Sequence, residues 1–150
     1  MKTGFTRILG GMALAAVLAA PLVSTPALAE DKDVVDYRIN LMKTLGEQAA
    51  AIGKIMQGKV AYTDNLAIHT DTIANTIDAA LKAFEPKIVG GTAKGEIWDN
   101  WADFKDRFVK LQAAARDVSA AARSGGMAAA QPKLQGMFTC KACHDTYRTK

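Results

Sequence analysis

Between Ile97 and Ala122 eight apolar residues, Ile97, Trp101, Phe104, Phe108, Leu111, Ala115, Val118 and Ala122, follow one another at steps of 4, 3, 4, 3, 4, 3 and 4. A strand turns its side chains over at every second residue, so this spacing is useless in a sheet. On a helix of about 3.6 residues per turn it lays one apolar stripe along about four heptads. Such a seam can be buried only against other helices, which points to an all-α bundle. Ser124-Gly125-Gly126 closes the segment, because glycine supplies the backbone conformation on which helices end.

The remaining chain reads the same way. From Asp33 to Gln57, Val35, Met42, Leu45, Ala49, Ile52 and Met56 form an amphipathic face, with Arg38 and Gln48 beside it and Gly58 as the stop. A second helix is expected from Asp64 to Phe84, burying Leu66, Ile73, Ile77, Ala80, Leu81 and Phe84 and ending at Glu85-Pro86. Pro86 to Lys94, with Gly90-Gly91, is the longest loop. A last helix lies between Met127 and Tyr147, where Pro132 either begins the regular helix or kinks it. Leu134, Met137, Cys140, His144 and Tyr147 share one side of it. Four helices with short end connections predict an antiparallel four-helix bundle with left-handed packing.

The first 29 residues read as a leader rather than structure. Lys2 and Arg7 precede an apolar run from Ile8 to Val23, and Ala27-Leu28-Ala29 is a small-residue cleavage site. The run is short and contains Pro21, which argues against a membrane anchor. A mature domain is expected from Glu30 to Lys150. Losing Lys2 and Arg7 lowers the formal charge of +4 by two, and the remaining basic residues alternate with acids. Nothing suggests nucleic acid. No paired carboxylates, Ser/His/Asp arrangement or phosphate loop supports a hydrolase or transferase, and an enzyme is not expected.

Chemistry concentrates in Cys140-Lys141-Ala142-Cys143-His144. On a helix, positions i, i+3 and i+4 share a face, so two thiols and an imidazole can meet one planar cofactor. The spacing is that of c-type haem attachment, with thioethers at Cys140 and Cys143 and His144 as the proximal iron ligand. Three other readings compete. A thioredoxin-type dithiol needs a βαβ context, and no strand pattern is present. Zinc wants further ligands, and the other histidine, His69, lacks a partner motif. A local disulfide leaves His144 unexplained. Export into an oxidising compartment also demands a use for two cysteines, and thioether bonds are one.

These residues carry a resemblance. The chain resembles the cytochrome c′ family, or class II cytochromes c, in C-K-A-C-H followed by Asp145-Thr146-Tyr147-Arg148, in Tyr37-Arg38 with Met42-Lys43 and Gly46 beyond, and in Glu96-Ile97-Trp98. The resemblance covers the whole mature chain. It implies a four-helix bundle with one covalently attached haem c near one end, a periplasmic location and a homodimer. It also places Met42 over the distal face of the iron. Met there resembles the low-spin branch, so the leading expectation is an electron carrier whose iron is held between His144 and Met42 and which meets periplasmic redox partner proteins. The alternative is a five-coordinate, high-spin haem that captures NO or CO, with Met42 as a steric gate. A third class is a dithiol oxidoreductase using Cys140 and Cys143.

The same resemblance puts Arg38 at the haem edge, where a guanidinium can pair with a propionate; a solvated surface arginine is the other reading. It puts Arg148 on the face of His144, next to the proximal imidazole. Tyr147 and Phe138 are expected around the macrocycle, Met56, Met127 and Met137 in packing, and Asp99, Asp103, Lys105 and Asp106 on a solvated face. His69 is expected at or near the surface. The chain departs from the family in the bulky Met137-Phe138-Thr139 before the first cysteine and in Pro132.

Overall fold

The computed structural model describes residues 30–150, and the leader and cleavage site expected over residues 1–29 lie outside the described residues. Helix α1 spans Asp31–Met56, with Asp31 and Asp33 in its first turn and Lys54 in its last. Those charges oppose the partial charges of the helix ends. Its stop follows the glycine rule: Gly58 sits at φ 64, the Gly58 N–H donates to Ile55 O at 3.0 Å, and the Lys59 N–H donates to Lys54 O at 3.0 Å. That pair of bonds is a Schellman motif with Gly58 at its left-handed position.

A 3-10 turn at Thr63–Asn65 leads into α2, Leu66–Phe84. The regular helix therefore starts two residues later than expected. Its buried face holds Leu66, Ile73, Ile77, Ala80 and Phe84 as the spacing predicts, and also Thr70, whose hydroxyl donates to Leu66 O at 3.0 Å. That bond removes the cost of burying a hydroxyl.

The seam from Ile97 is interrupted once. A four-residue helix α3, Glu96–Asp99, ends at Asn100 (φ −120, ψ 42), and α4 runs from Trp101 to Ala130. Ile97 still reaches the core, with Phe104, Phe108, Ala115 and Val118. The break falls between two seam residues, so apolar spacing alone could not reveal it.

Inside α4 the helical path stops at Gly125 (φ −147, ψ 18) and Gly126 (φ 63, ψ −154). The expected last helix is broken into pieces: a short turn completing α4, a 3-10 segment at Gln131–Met137 with Pro132 in its first turn, and α5, Cys140–Tyr147. Pro132 thus opens a segment rather than kinking one, the position where its missing N–H costs nothing.

Gly126 tests this account. Its backbone lies in a region essentially restricted to glycine, and an added Cβ would meet nothing within 4 Å. Gly126→Ala is therefore expected to cost ~1–3 kcal/mol through backbone strain alone, read as a lowered midpoint in thermal melting.

Helix α2 packs between α1 and α4, and the 3-10 segment closes against α4. Ile52, Leu66, Ile77, Ile97, Val118 and Leu134 are fully buried between them. The bundle is all-α; among the described residues the β geometry is one isolated bridge, Ala93 to Arg148. No described helix is long and apolar enough to cross a membrane. Met137 is buried and Met127 packs on the core, but Met56 is 43% exposed at the C-terminal end of α1, contrary to expectation.

One inter-helix tie gives a pH prediction. Asp71 of α2 accepts from Arg123 of α4, and the nearby Ser119 hydroxyl, then Arg123, hold its carboxyl below the usual range. A depressed folded pKa adds stability above the unfolded value of ~3.9, and this is lost as pH falls through the folded one. Asp71→Asn is expected to flatten the acid limb of a stability-against-pH curve. The loss at neutral pH should stay near ~0.2–1 kcal/mol, because the pair is partly solvated.

Candidate functional site

The apolar stripe of α1 turns only partly toward α2. Val35, Met42, Leu45 and Ala49 are half-buried, because that face looks into a cavity of about 500 Å³. Opposite walls come from Phe104, Phe108 and Leu111 of α4 and from α5. All six residues singled out in the sequence, Arg38, Met42, Cys140, Cys143, His144 and Arg148, line this one cavity.

Helix α5 brings the chemistry. Cys140 and Cys143 are free thiols, one exposed and one half-buried. Burial pushes the Cys143 thiol up, against the lowering pull of Arg107. That is the reverse of the activated thiolate a redox dithiol requires. Among the described residues no group of three or more His, Cys, Asp or Glu side chains could hold a metal ion on its own, so the zinc reading also lacks support. Part of His144 reaches solvent, yet burial and then the charge of Arg148 hold its imidazole below the ordinary value, with Asp145 opposing. A neutral imidazole is the form that ligates iron.

Arg148 reaches the cavity by a different route from the one expected. Its N–H donates to His144 O at 3.0 Å, but its own backbone is extended (φ −121, ψ 136), so it follows α5 rather than completing a last turn. The bridge to Ala93 places it, helped by Lys94 N–H to Tyr147 O at 3.0 Å and Thr149 N–H to Thr92 O at 2.9 Å. The loop thus ties the chain end to the cavity rim. It also presses on α1: a Cβ on Gly90 would lie 2.6 Å from Val35 Cγ2, so any other residue there would have to push Val35 aside.

Arg38 is 3% exposed, which excludes the solvated reading. Nε donates to Ala83 O at 2.7 Å, Nη2 to Pro86 O at 2.8 Å and Nη1 to Ile88 O. The guanidinium lies 4.8 Å from the Phe84 ring centroid and 5.3 Å from that of Trp98. Each nitrogen is therefore committed to the end of α2 and the following loop, and only the second N–H of Nη1 and of Nη2 is free for an anion.

Sequence reasoning passed over Arg107, a cavity-lining residue; Asp103 lies on the solvated face as expected, its side chain 51% exposed, but it also bonds across to α5. Asp103 accepts from Tyr147 Oη at 2.5 Å and from Arg107 Nε at 2.7 Å. The i,i+4 spacing of Asp103 and Arg107 was the available clue. Phe138 is 48% exposed and does not line the cavity, contrary to expectation; the backbone break at Phe138-Thr139 turns it away. Tyr147 is buried there as expected. His69 is half-buried, its Nδ1 2.7 Å from Gln48 Oε1.

Two free thiols and a neutral imidazole on one helix face, at an apolar cavity within the ~300–1,000 Å³ range of cofactor sites, fit a haem. Fold and site together define a c-type haem protein built on a helical bundle. A family model described as Cytochrome C′ matches residues 33–148. Cytochrome c′ of Rhodospirillum rubrum is 34% identical over 143 residues, covering 91% of this chain and 97% of that one. Cytochrome c-556 of Agrobacterium tumefaciens is 35% identical over 119 residues, covering 77% of this chain and 94% of that one. Among solved structures, a nitric oxide complex of a variant cytochrome c prime from Alcaligenes xylosoxidans superposes with a TM-score of 0.74 at 27% identity, over 83% of this chain and all of that one (100%). A carbon monoxide complex of another variant of that protein matches equally, at 0.74 and 27% over 83% and 100%. The chain belongs to the cytochrome c′ family. Its cofactor is one haem c, attached covalently through Cys140 and Cys143.

Proposed function

We propose that this protein is a periplasmic gas-binding cytochrome, its haem iron held by His144 alone and its other face open to NO or CO beneath Met42. The observation that supports this most is the asymmetry of the cavity wall: thiols and imidazole come from α5, while α1 contributes Val35, Met42, Leu45 and Ala49. The superposable NO and CO complexes from Alcaligenes xylosoxidans support the same reading.

The haem supplies an iron that can take up a diatomic gas and change by one electron. The chain does the rest. Cys140 and Cys143 anchor the macrocycle to α5, and His144 offers a neutral nitrogen to the iron. Arg38 and Arg148 set positive charge at the rim, where propionates would sit. The aliphatic stripe of α1 keeps water from the open side. This reading reverses the leading sequence expectation. An electron carrier with Met42 as sixth ligand, meeting a periplasmic redox partner, is the second reading, favoured by one observation: among the described lining residues Met42 carries the only thioether. An apolar seam shared with a second copy, making a homodimer, is compatible with either.

Spectra of the purified holoprotein separate the two. The gas-binding reading expects high-spin iron that takes up CO, and Met42→Ala raising CO affinity about tenfold, ~1.4 kcal/mol, by opening the gate. A low-spin wild type that excludes CO, and turns high-spin in Met42→Leu, would establish the carrier instead.

A further inference from the structure

Helix α5 has eight residues and only one of them, Tyr147, is buried, yet it must hold the haem-bonding groups in register. Its attachment to α4 is polar and specific. Tyr147 Oη donates to Asp103 Oδ2 at 2.5 Å, and the same oxygen accepts from Arg107 Nε at 2.7 Å. Arg107 Nη1 then donates to Ala142 O at 3.2 Å, the carbonyl between the two cysteines. The guanidinium lies 5.4 Å from the Tyr147 ring centroid, and that ring meets Phe104 edge-on at 5.3 Å. One arginine thus grips the cysteine segment while its carboxylate partner grips the far end of the helix.

The charges in this cluster are not placed symmetrically. Arg107 lines the cavity and Asp103 does not, so the cavity meets the cation with the carboxylate behind it. Arg38, Lys43 and Arg148 line the cavity as well, but neither Arg38 nor Lys43 bonds to α5. Arg107 is also felt at the Cys143 sulfur.

We propose that Asp103, Arg107 and Tyr147 form a charged clamp that positions the haem-bearing helix and biases its iron between the ferric and ferrous states; the inference rests on haem attachment to α5 as described above. Ferric iron carries one more positive charge than ferrous, so a cation facing it favours the reduced form, and an anion behind that cation weakens the effect. The one electron comes from an electrode or a reducing partner, and no bond in the clamp is made or broken.

Spectroelectrochemistry of the holoprotein tests this. Arg107→Gln is expected to lower the reduction potential and Asp103→Asn to raise it, the amide oxygen still accepting from Tyr147. Arg107→Lys, which keeps the charge, should stay close to wild type in potential while speeding amide exchange across α5, because it loses the fork that reaches Ala142. A cluster that merely stiffened the helix would move the first two potentials in the same direction. That result, or potentials unchanged in both, overturns the proposal. A wild-type protein lacking covalent haem mass would instead defeat the haem reading beneath it.

Discussion

Protein carrying serine at both Cys140 and Cys143 is expected to be recovered without covalent haem, lighter by one haem in its mass spectrum, and without a fixed tertiary structure. Thioether bonds need sulfur, so attachment fails at the chemical level. The conformational consequence follows from where α1 looks. Val35, Met42, Leu45 and Ala49 face the cavity of about 500 Å³, and much of their apolar surface meets it, although Met42 and Leu45 also pack on the core. Truncating one buried aromatic costs ~3–5 kcal/mol, and this cavity far exceeds one ring, whereas a domain's whole stability is ~5–15 kcal/mol. The haem-free protein should therefore keep much of its far-ultraviolet helix signal, lose near-ultraviolet structure and melt without a sharp transition. The α2–α4 interface is packed without the cofactor, which is why helix content survives. Sharp, wild-type-like melting of the double-serine protein would show that the bundle packs without its cofactor and sink this argument. Cys140→Ser or Cys143→Ser alone should retain one thioether and an intermediate melting point.

How much of this was legible in the sequence depended on range. The seam from Ile97 to Ala122 and the stripe of α2 translate directly, because helical spacing is local and burial follows it. Gly58 and Gly126 were legible for the same reason, each needing φ near 60° (64 and 63). The break at Asn100 was not, since it preserves the apolar phase on both sides. The fragmentation after Gly126 was half legible: Pro132 marked a boundary, but the Phe138-Thr139 break that turns Phe138 outward has no local signature. At the site, Cys140, Cys143 and His144 form a short pattern whose geometry is fixed by one helix. Met42 could be placed only through family resemblance, because nothing local says which wall α1 supplies. Arg107 and Asp103 looked like an ordinary surface pair, and only the approach of Tyr147, 44 positions away from Asp103, gives them a role.

Arg38 shows the same limit with the largest energetic consequence. The sequence offered it as a propionate partner or a surface charge, and the structure commits it to Ala83, Pro86 and Ile88 carbonyls between Phe84 and Trp98. The last carbonyls of a helix have no partner within it. Here Arg38 and the Trp98 indole, which donates to Phe84 O at 2.8 Å, satisfy them. Arg38→Met keeps much of the apolar stem but strands two acceptors, Ala83 O and Ile88 O, each worth ~1–3 kcal/mol when buried unpaired, while Pro86 O keeps the Ile88 N–H at 2.8 Å. Part of the loss is recovered by water, because Glu85 to Lys87 are exposed, so a loss of ~2–3 kcal/mol is expected, or roughly 10 °C in melting temperature for a domain of this size. Arg38→Lys should recover only part of that, since an ammonium cannot present a planar fork to three divergent carbonyls. Haem attachment at Cys140 and Cys143 should persist in both variants, because neither thiol depends on this network. Were Arg38 chiefly a propionate partner, Arg38→Met would shift the reduction potential, and both variants would leave the melting temperature of the haem-bearing protein nearly unchanged. Thermal denaturation of the covalently loaded variants, followed at both the haem absorbance and the helix signal, distinguishes these outcomes.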